Sequence, residues 1–205
     1  MNGKKAKKAT GERRREAIME AALGLFIEKG YAAVTVDEII RRSGGSKSSV
    51  YEYFGTKEGL LRAIITQVAE EVLTPISEGM NTRETLTNIG IKFCSEILTE
   101  KGMGMFSLAV SNAKRFPEIS RMFYESGPKK SMDGVAEYMR KEAAAGRLNI
   151  KDPYLASDLF LCMILGKGHI AIPVGGAKPP SKAKIKELVE EAVYVFMSAY
   201  GKKAR

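Results

Sequence analysis

Residues 46–54 read Ser-Lys-Ser-Ser-Val-Tyr-Glu-Tyr-Phe, a run in which hydroxyls, one amine and two phenols alternate with apolar side chains. No nucleophile here has a base beside it. What these groups do well is hydrogen-bond to anionic oxygens and to the edges of bases. At helical spacing Val50 and Phe54 fall four apart and face a core, which leaves Lys47, Ser48, Ser49 and Tyr51 looking outward. Short hydroxyl side chains near a helix start approach phosphates closely, and the unpaired amides there favour the same anions. Elsewhere no carboxylate pair or nucleophile–base couple stands out, so an enzyme is not expected. Cys94, Cys162 and the single His169 lack metal-ligand spacing, so neither a metal site nor a cofactor is expected.

Charge points the same way. The 205 residues hold 33 Lys and Arg against 24 Asp and Glu, a formal charge of +9 that favours polyanionic partners. Lys4, Lys5, Lys7, Lys8, Arg13, Arg14 and Arg15 face only Glu12 among the first fifteen residues. Residues 1–11 are therefore read as a basic, flexible, solvated arm that adds sequence-independent attraction to DNA. The arm runs into Glu16 and Glu20 rather than an uninterrupted apolar stretch, so it does not read as a secretory signal. The most apolar windows, 159–165 and 193–197, fall short of the roughly 20 residues of a membrane span, and a cytoplasmic protein with reduced thiols is expected.

The elements that must carry the 46–54 run are helical. A first helix is expected from about Glu12 to Lys29, burying Ile18, Ala21, Ala22, Leu25 and Phe26 and stopping at Gly30. Thr35-Val36-Asp37-Glu38 reads as a capping box that opens a second helix burying Val36, Ile39 and Ile40. That helix stops within Ser43-Gly44-Gly45-Ser46, and Ser46 caps a short third helix to Phe54. Gly55 and Thr56 break and recap the chain. A fourth helix then carries Leu60, Leu61, Ile64, Ile65, Val68 and Val72 up to Pro75. Helix, tight turn, helix over about 35–54 predicts a major-groove reader. Further helices are expected at roughly 82–100, 104–115, 117–146 with a kink at Gly127 and Pro128, 152–170 and 181–200. The fold class is all-α with about nine helices: a DNA-binding domain over 12–72 and a larger helical domain over 76–205 for ligand binding and dimerisation.

Residues 93–139 are rich in Met and aromatics, which suits an adaptable apolar cavity, although such a face also fills cores. Phe93, Met103, Phe106, Met122, Phe123, Tyr138, Met139 and Met163 are the expected lining of a small-molecule effector pocket, with Asn112, Arg115 and His169 as polar handles. The segment 155–165 is apolar nearly all round and needs cover on more than one side. With the stripe Ile185, Leu188, Val189, Ala192, Val193, Phe196 and Tyr200 it predicts a four-helix homodimer interface, represented by Leu159, Cys162, Leu188, Ala192 and Phe196.

The string RRREAIMEAALGLFIEKGYAAVTVDEIIRRSGGSKSSVYEYFGTKEGLLRAII, from Arg13 to Ile65, closely resembles the DNA-binding domain of the TetR family of bacterial transcriptional regulators. AALGLFIEKGY, TVDEI, SKSSVYEYF and TKEGLL are the matching pieces. The resemblance implies a homodimer on double-stranded, palindromic operator DNA, usually a repressor released by a small molecule. It further implies that Thr35 contacts phosphate, that Lys47 and Ser49 face the groove, and that Tyr51, Tyr53 and Lys57 anchor the DNA backbone. Two positions depart from the family pattern: Gly45 replaces a branched apolar residue, which should loosen the turn, and Glu52 stands where a neutral residue or His is commoner. Glu52 either points away from phosphate, pairs with Arg42 or Lys47, or accepts from a cytosine amine. FSLAVSNAKRFPEISRMFYESGP and AAAGRLNIKDPYLASDLFL resemble the C-terminal region of the AefR-like subgroup. The expected function is a ligand-responsive repressor that answers to an apolar or amphipathic molecule, with the fourth helix as lever. The alternative is a ligand-independent, DNA-bound protein-interaction adaptor or activator.

Overall fold

The computed structural model describes residues 2–73 and 81–202, with side chains described from Thr10 onward. In chain order the helices are α1 (Asn2–Lys29), α2 (Val36–Ser43), α3 (Lys47–Phe54), α4 (Lys57–Leu73), α5 (Thr82–Ile97), α6 (Glu100–Asn112), α7 (Pro117–Ser126), α8 (Pro128–Ala144), α9 (Pro153–Leu165), α10 (Gly168–Ala171) and α11 (Lys182–Tyr200). Among the described residues there is no strand, and no helix is long and apolar enough to cross a membrane. The expected stop at Pro75 lies outside the described residues. The chain divides into two compact units: residues 1–67 with 104–123, and residues 68–103 with 124–205.

In the first unit, α1 packs on α2 and α2 on α3. Ile18, Ala22 and Phe26 of α1, Ile39 of α2, Val50 of α3 and Leu60 and Leu61 of α4 are buried, as are Met105, Leu108, Ile119 and Met122 of α6 and α7. Three expectations change. Helix α1 begins at Asn2 rather than near Glu12, so the segment read as an arm is helical, in keeping with the high helix propensity of its Lys and Ala residues. Val36 and Ile40 are half-buried, because an eight-residue helix turns one face to the core and Ile39 occupies it. Phe54 is also half-buried, with the Arg15 guanidinium carbon 5.6 Å from its ring centre.

In the second unit, α8 packs on α9, and α11 on α5 and α9. Leu86, Ile89, Phe93, Val135, Met139, Phe160, Ile164, Val189, Val193 and Phe196 are its apolar centre. Phe160 and Phe196 meet edge to face at 5.4 Å. Gly90 lets α5 approach α11 so closely that a Cβ there would stand 2.7 Å from Val189 Cγ1. The single helix expected over 117–146 is two, because Pro128 cannot continue α7 and instead starts α8. The one expected over 152–170 breaks at Gly166, whose φ of +51° ends α9 before the four residues of α10. Buried Glu142 accepts a bidentate pair from Arg147, at 2.7 and 2.8 Å, and a bond from Thr82.

Candidate nucleic-acid interface

The capping box read from the sequence is present and tightly bonded. The Thr35 hydroxyl accepts from the Glu38 amide at 3.2 Å, and the Glu38 carboxylate accepts from the Thr35 amide at 2.9 Å and the Thr35 hydroxyl at 3.1 Å. Lys29 Nζ joins the same carboxylate at 2.9 Å. The Thr35 amide, with Lys29 and the Thr35 hydroxyl, holds the Glu38 carboxyl at about 2 instead of the usual 4.5. Thr35 is exposed, but its one hydroxyl proton is committed to Glu38, so a phosphate there competes with that bond.

At the far end of α2, Gly44 takes the left-handed conformation (φ +72°) and donates its amide to Ile40 O. Two residues later Ser46 caps α3. Its Oγ accepts from the Ser49 amide at 3.2 Å and lies 2.9 Å from Ser48 Oγ and 2.8 Å from Ser49 Oγ. That hydroxyl cluster corrects one expectation: Ser49, only 7% exposed, is drawn inward onto Ser46 instead of facing the groove. Lys47, Ser48 and Tyr51 do face outward, Tyr51 with 51% of its surface exposed. Lys47 Nζ reaches Asp37 at 2.8 Å, which holds its ammonium above the ordinary lysine value. Sequence reasoning missed Asp37 in this role, because ten residues and a turn separate it from Lys47 and periodicity does not connect them. Glu52 is exposed, and both partners considered for it are engaged elsewhere: Arg42 with Glu28 at 2.8 Å and Lys47 with Asp37.

Tyr53 is half-buried beside Phe54, with ring centres 6.0 Å apart. Lys57, which the resemblance makes a DNA backbone anchor, is half-buried. Its Nζ donates to the carbonyls of Tyr31 and Val34 at 2.9 and 2.8 Å and lies 4.4 Å from the centre of the Tyr31 ring. Burial lowers the Lys57 pKa. Burial, followed by the charges of Glu58 and Glu118, pushes the Tyr31 phenol up to about 12.

The residues expected to line an effector pocket are divided between the units. Phe106, Met122 and Phe123 belong to the first; Phe93, Met103, Tyr138, Met139 and Met163 belong to the second. Phe93, Tyr138 and Met139 are core residues there, Met163 packs against that core, and Met103 is buried. Phe106 is 38% exposed, while Met122 is buried. A crevice in the first unit is lined by Leu61, Ile65, Met105, Leu108, Ala109, Ile119 and Phe123, so Phe123 alone of the expected set borders it. The polar handles are bonded locally: Asn112 donates to Leu108 O at 2.7 Å, His169 Nδ1 lies 2.6 Å from Gly166 O, and Arg115 lies over Phe116.

The expected dimer face is also recomposed. Ala192 and Phe196 are buried in their own chain, Phe196 between Phe160 and Tyr200, because α11 turns this stripe toward α5 and α9. Leu188 is half-buried. Leu159 and Cys162 stay exposed, along with Leu155 on α9 and Tyr194 and Val195 on α11. Among the described residues no cluster of His, Cys, Asp and Glu is arranged to hold a metal.

A capped α2, a sharp glycine turn and an α3 whose exposed start presents Lys47, Ser48 and Tyr51 define a helix-turn-helix protein of the DNA-reading class. Residues 18–64 match the bacterial regulatory proteins of the tetR family, and residues 84–202 match the C-terminal domain of AefR-like transcriptional repressors. The chain belongs to the TetR family and is a transcriptional regulator with a helix-turn-helix DNA-binding domain. It is 28% identical over 114 residues to the regulator BetI of Rhizobium meliloti, a match covering 53% of this chain and 56% of BetI. Against HbdR of Aromatoleum sp. it is 24% identical over 201 residues, covering 94% and 85%. A solved TetR-family regulator from Mesorhizobium loti superposes with a TM-score of 0.77 at 28% identity, over 94% of this chain and 98% of that one. The flavonoid-responsive regulator FrrA gives 0.70 at 26% identity, over 94% and 100%.

Proposed function

We propose that the protein is a homodimeric, ligand-responsive repressor that binds a palindromic operator and releases it when an apolar or amphipathic small molecule is bound. The observation that carries the DNA-binding half is the exposed start of α3. There Lys47, Ser48 and Tyr51 project just after the glycine turn, and Lys47 holds an exposed carboxylate that a phosphate can replace. Exposed Leu155, Leu159 and Cys162 on α9 supply an apolar face for a second copy, and a two-fold dimer would set two α3 helices about one DNA turn apart. The Met- and aromatic-rich composition of α5 to α8 favours an apolar ligand, and FrrA, a flavonoid-responsive regulator, lends support to a small-molecule effector. Helix α4 is the proposed lever: it carries Leu60 and Leu61 in the core of the first unit and Val72 in the core of the second. Couplings of this kind run to about 1–3 kcal/mol.

The test is fluorescence anisotropy of the purified chain on the duplex upstream of its own gene and on a scrambled duplex, across a salt series. Tight binding to the native duplex alone is expected. Equal, steeply salt-dependent binding to both would reduce the interaction to backbone attraction.

A further inference from the structure

Residues 30–35 join α1 to α2, and their ends are fixed in different ways. Gly30 leaves α1 in the left-handed conformation (φ +81°), Val34 is buried in the core, and Thr35 opens α2 through its capping box. Between these points the carbonyls of Tyr31 and Val34 turn toward one group, the Lys57 ammonium, which enters from the first turn of α4. An ammonium has three N–H donors. Two go to those carbonyls, at 2.9 and 2.8 Å, and the cation sits 4.4 Å from the centre of the Tyr31 ring, which itself packs on Phe26 at 5.3 Å. Those two bonds hold Nζ within the turn, so only its remaining N–H could turn to a phosphate while they stand. Lys47 differs: it is exposed, and its partner Asp37 is an exposed carboxylate, so exchange for phosphate strips nothing that is buried.

We infer that Lys57 is a positioning residue for DNA binding: it pins the 31–34 turn, and through it the N-terminus of α2, while making no phosphate contact of its own. The inference rests on the DNA-binding reading of the first unit and reassigns one side chain within it. The start of α2 is where Thr35 and the first amides of the helix are presented to an anion. Its placement therefore depends in part on a turn held by a residue 23 positions beyond Val34.

The test compares the full chain with Lys57→Met, which keeps the stem and loses donors and charge, and Lys57→Gln, which keeps a donor without the charge. At a temperature where melting curves show every protein folded, hydrogen exchange is measured without DNA, and duplex affinity is measured across salt. In Lys57→Met the amides of 31–36 should exchange faster while those of 60–65 keep their protection. Affinity should fall about tenfold, the worth of one charge-assisted hydrogen bond, with Lys57→Gln between it and the wild type. The slope of log K against log salt should stay unchanged. A slope reduced by about 0.9 in both variants would identify a direct phosphate contact and overturn the inference. Unchanged exchange at 31–36 would overturn it as well, as would faster exchange throughout the unit with affinity intact. Should the wild type bind native and scrambled duplexes alike, the operator reading fails while the slope still decides the role of Lys57; should it bind neither, the exchange data decide whether the pin exists.

Discussion

Gly44 and Gly45 are adjacent in the reading turn, and the structure assigns opposite signs to the same substitution at each. At Gly45 the backbone is outside the left-handed region, and an added Cβ would lie 3.6 Å from Ile18 Cδ1 and Cγ1 and 3.5 Å from Ser43 Oγ, ordinary contact distances. Gly45→Ala therefore clashes with nothing, restores part of the packing onto buried Ile18, and restricts the unfolded chain, a gain of about 0.4–1 kcal/mol. At Gly44 nothing lies within 4 Å of an added Cβ, yet φ is +72° and ψ +23°. An alanine there carries the left-handed penalty of about 1–2 kcal/mol. In a chain of this size one kcal/mol moves the melting temperature by about 2–4 °C. Gly45→Ala is expected to melt about 1–4 °C higher and Gly44→Ala about 2–8 °C lower, followed by circular dichroism on the full chain. Operator anisotropy should show Gly45→Ala binding at least as tightly as wild type, since α3 keeps its cap. Shifts of the same sign, or a lower melting point for Gly45→Ala, would refute the assigned turn geometry.

Three further outcomes are expected. Gly90→Ala drives a methyl to 2.7 Å from the branched, buried Val189; overpacking outweighs the helix-propensity gain, so stability should drop by about 1–2 kcal/mol and recover when Val189→Ala is added, as calorimetry of the double variant would show. Because the folded pKa of Glu38, about 2, lies below its ordinary 4.5, its contribution is fully present above pH 4.5 and is lost as pH falls from 4.5 toward 2. Glu38→Gln should flatten acid unfolding of the first unit across that window, and an NMR midpoint near 4.5 for the Glu38 carboxyl would contradict the capping geometry. Leu159→Glu places a charge on the exposed face of α9 and should give a monomer in sedimentation; a persisting dimer would move the interface elsewhere.

Local chemistry was readable along the chain. The pairing of Thr35 with Glu38, the Ser46 cap and the stops at Gly30 and Gly44 each depend on residues within a few positions, and each stands in the structure as the spacing predicts. The orientation of single polar side chains was less readable. Helical phase alone puts Ser49 outside, but a hydroxyl three residues earlier offers a bond that draws it in. Lys57 looks like a free cation until the chain folds back to place carbonyls from 26 and 23 residues upstream around it. The apolar residues of the C-terminal region failed differently: Phe196 and Ala192 sit on the stripe that periodicity finds, but periodicity does not say whether a stripe meets its own chain or another. Here α5 and α9 cover it.

The two cysteines have very different environments. Cys94 is buried, gives its thiol hydrogen to Ile164 O at 3.1 Å, and is pushed up to about 12 by desolvation. The buried sulfur therefore stays a thiol at neutral pH and reacts poorly. Cys162 stands in the open on α9, one helical turn from Leu159. A maleimide dye added to the native protein should therefore modify one sulfur without any engineered cysteine. Because that sulfur lies on the face proposed for a second copy, its labelling rate would gauge association there: slow in concentrated solution and fast on dilution or in Leu159→Glu is the expected pattern, and a rate independent of concentration would place Cys162 outside any interface.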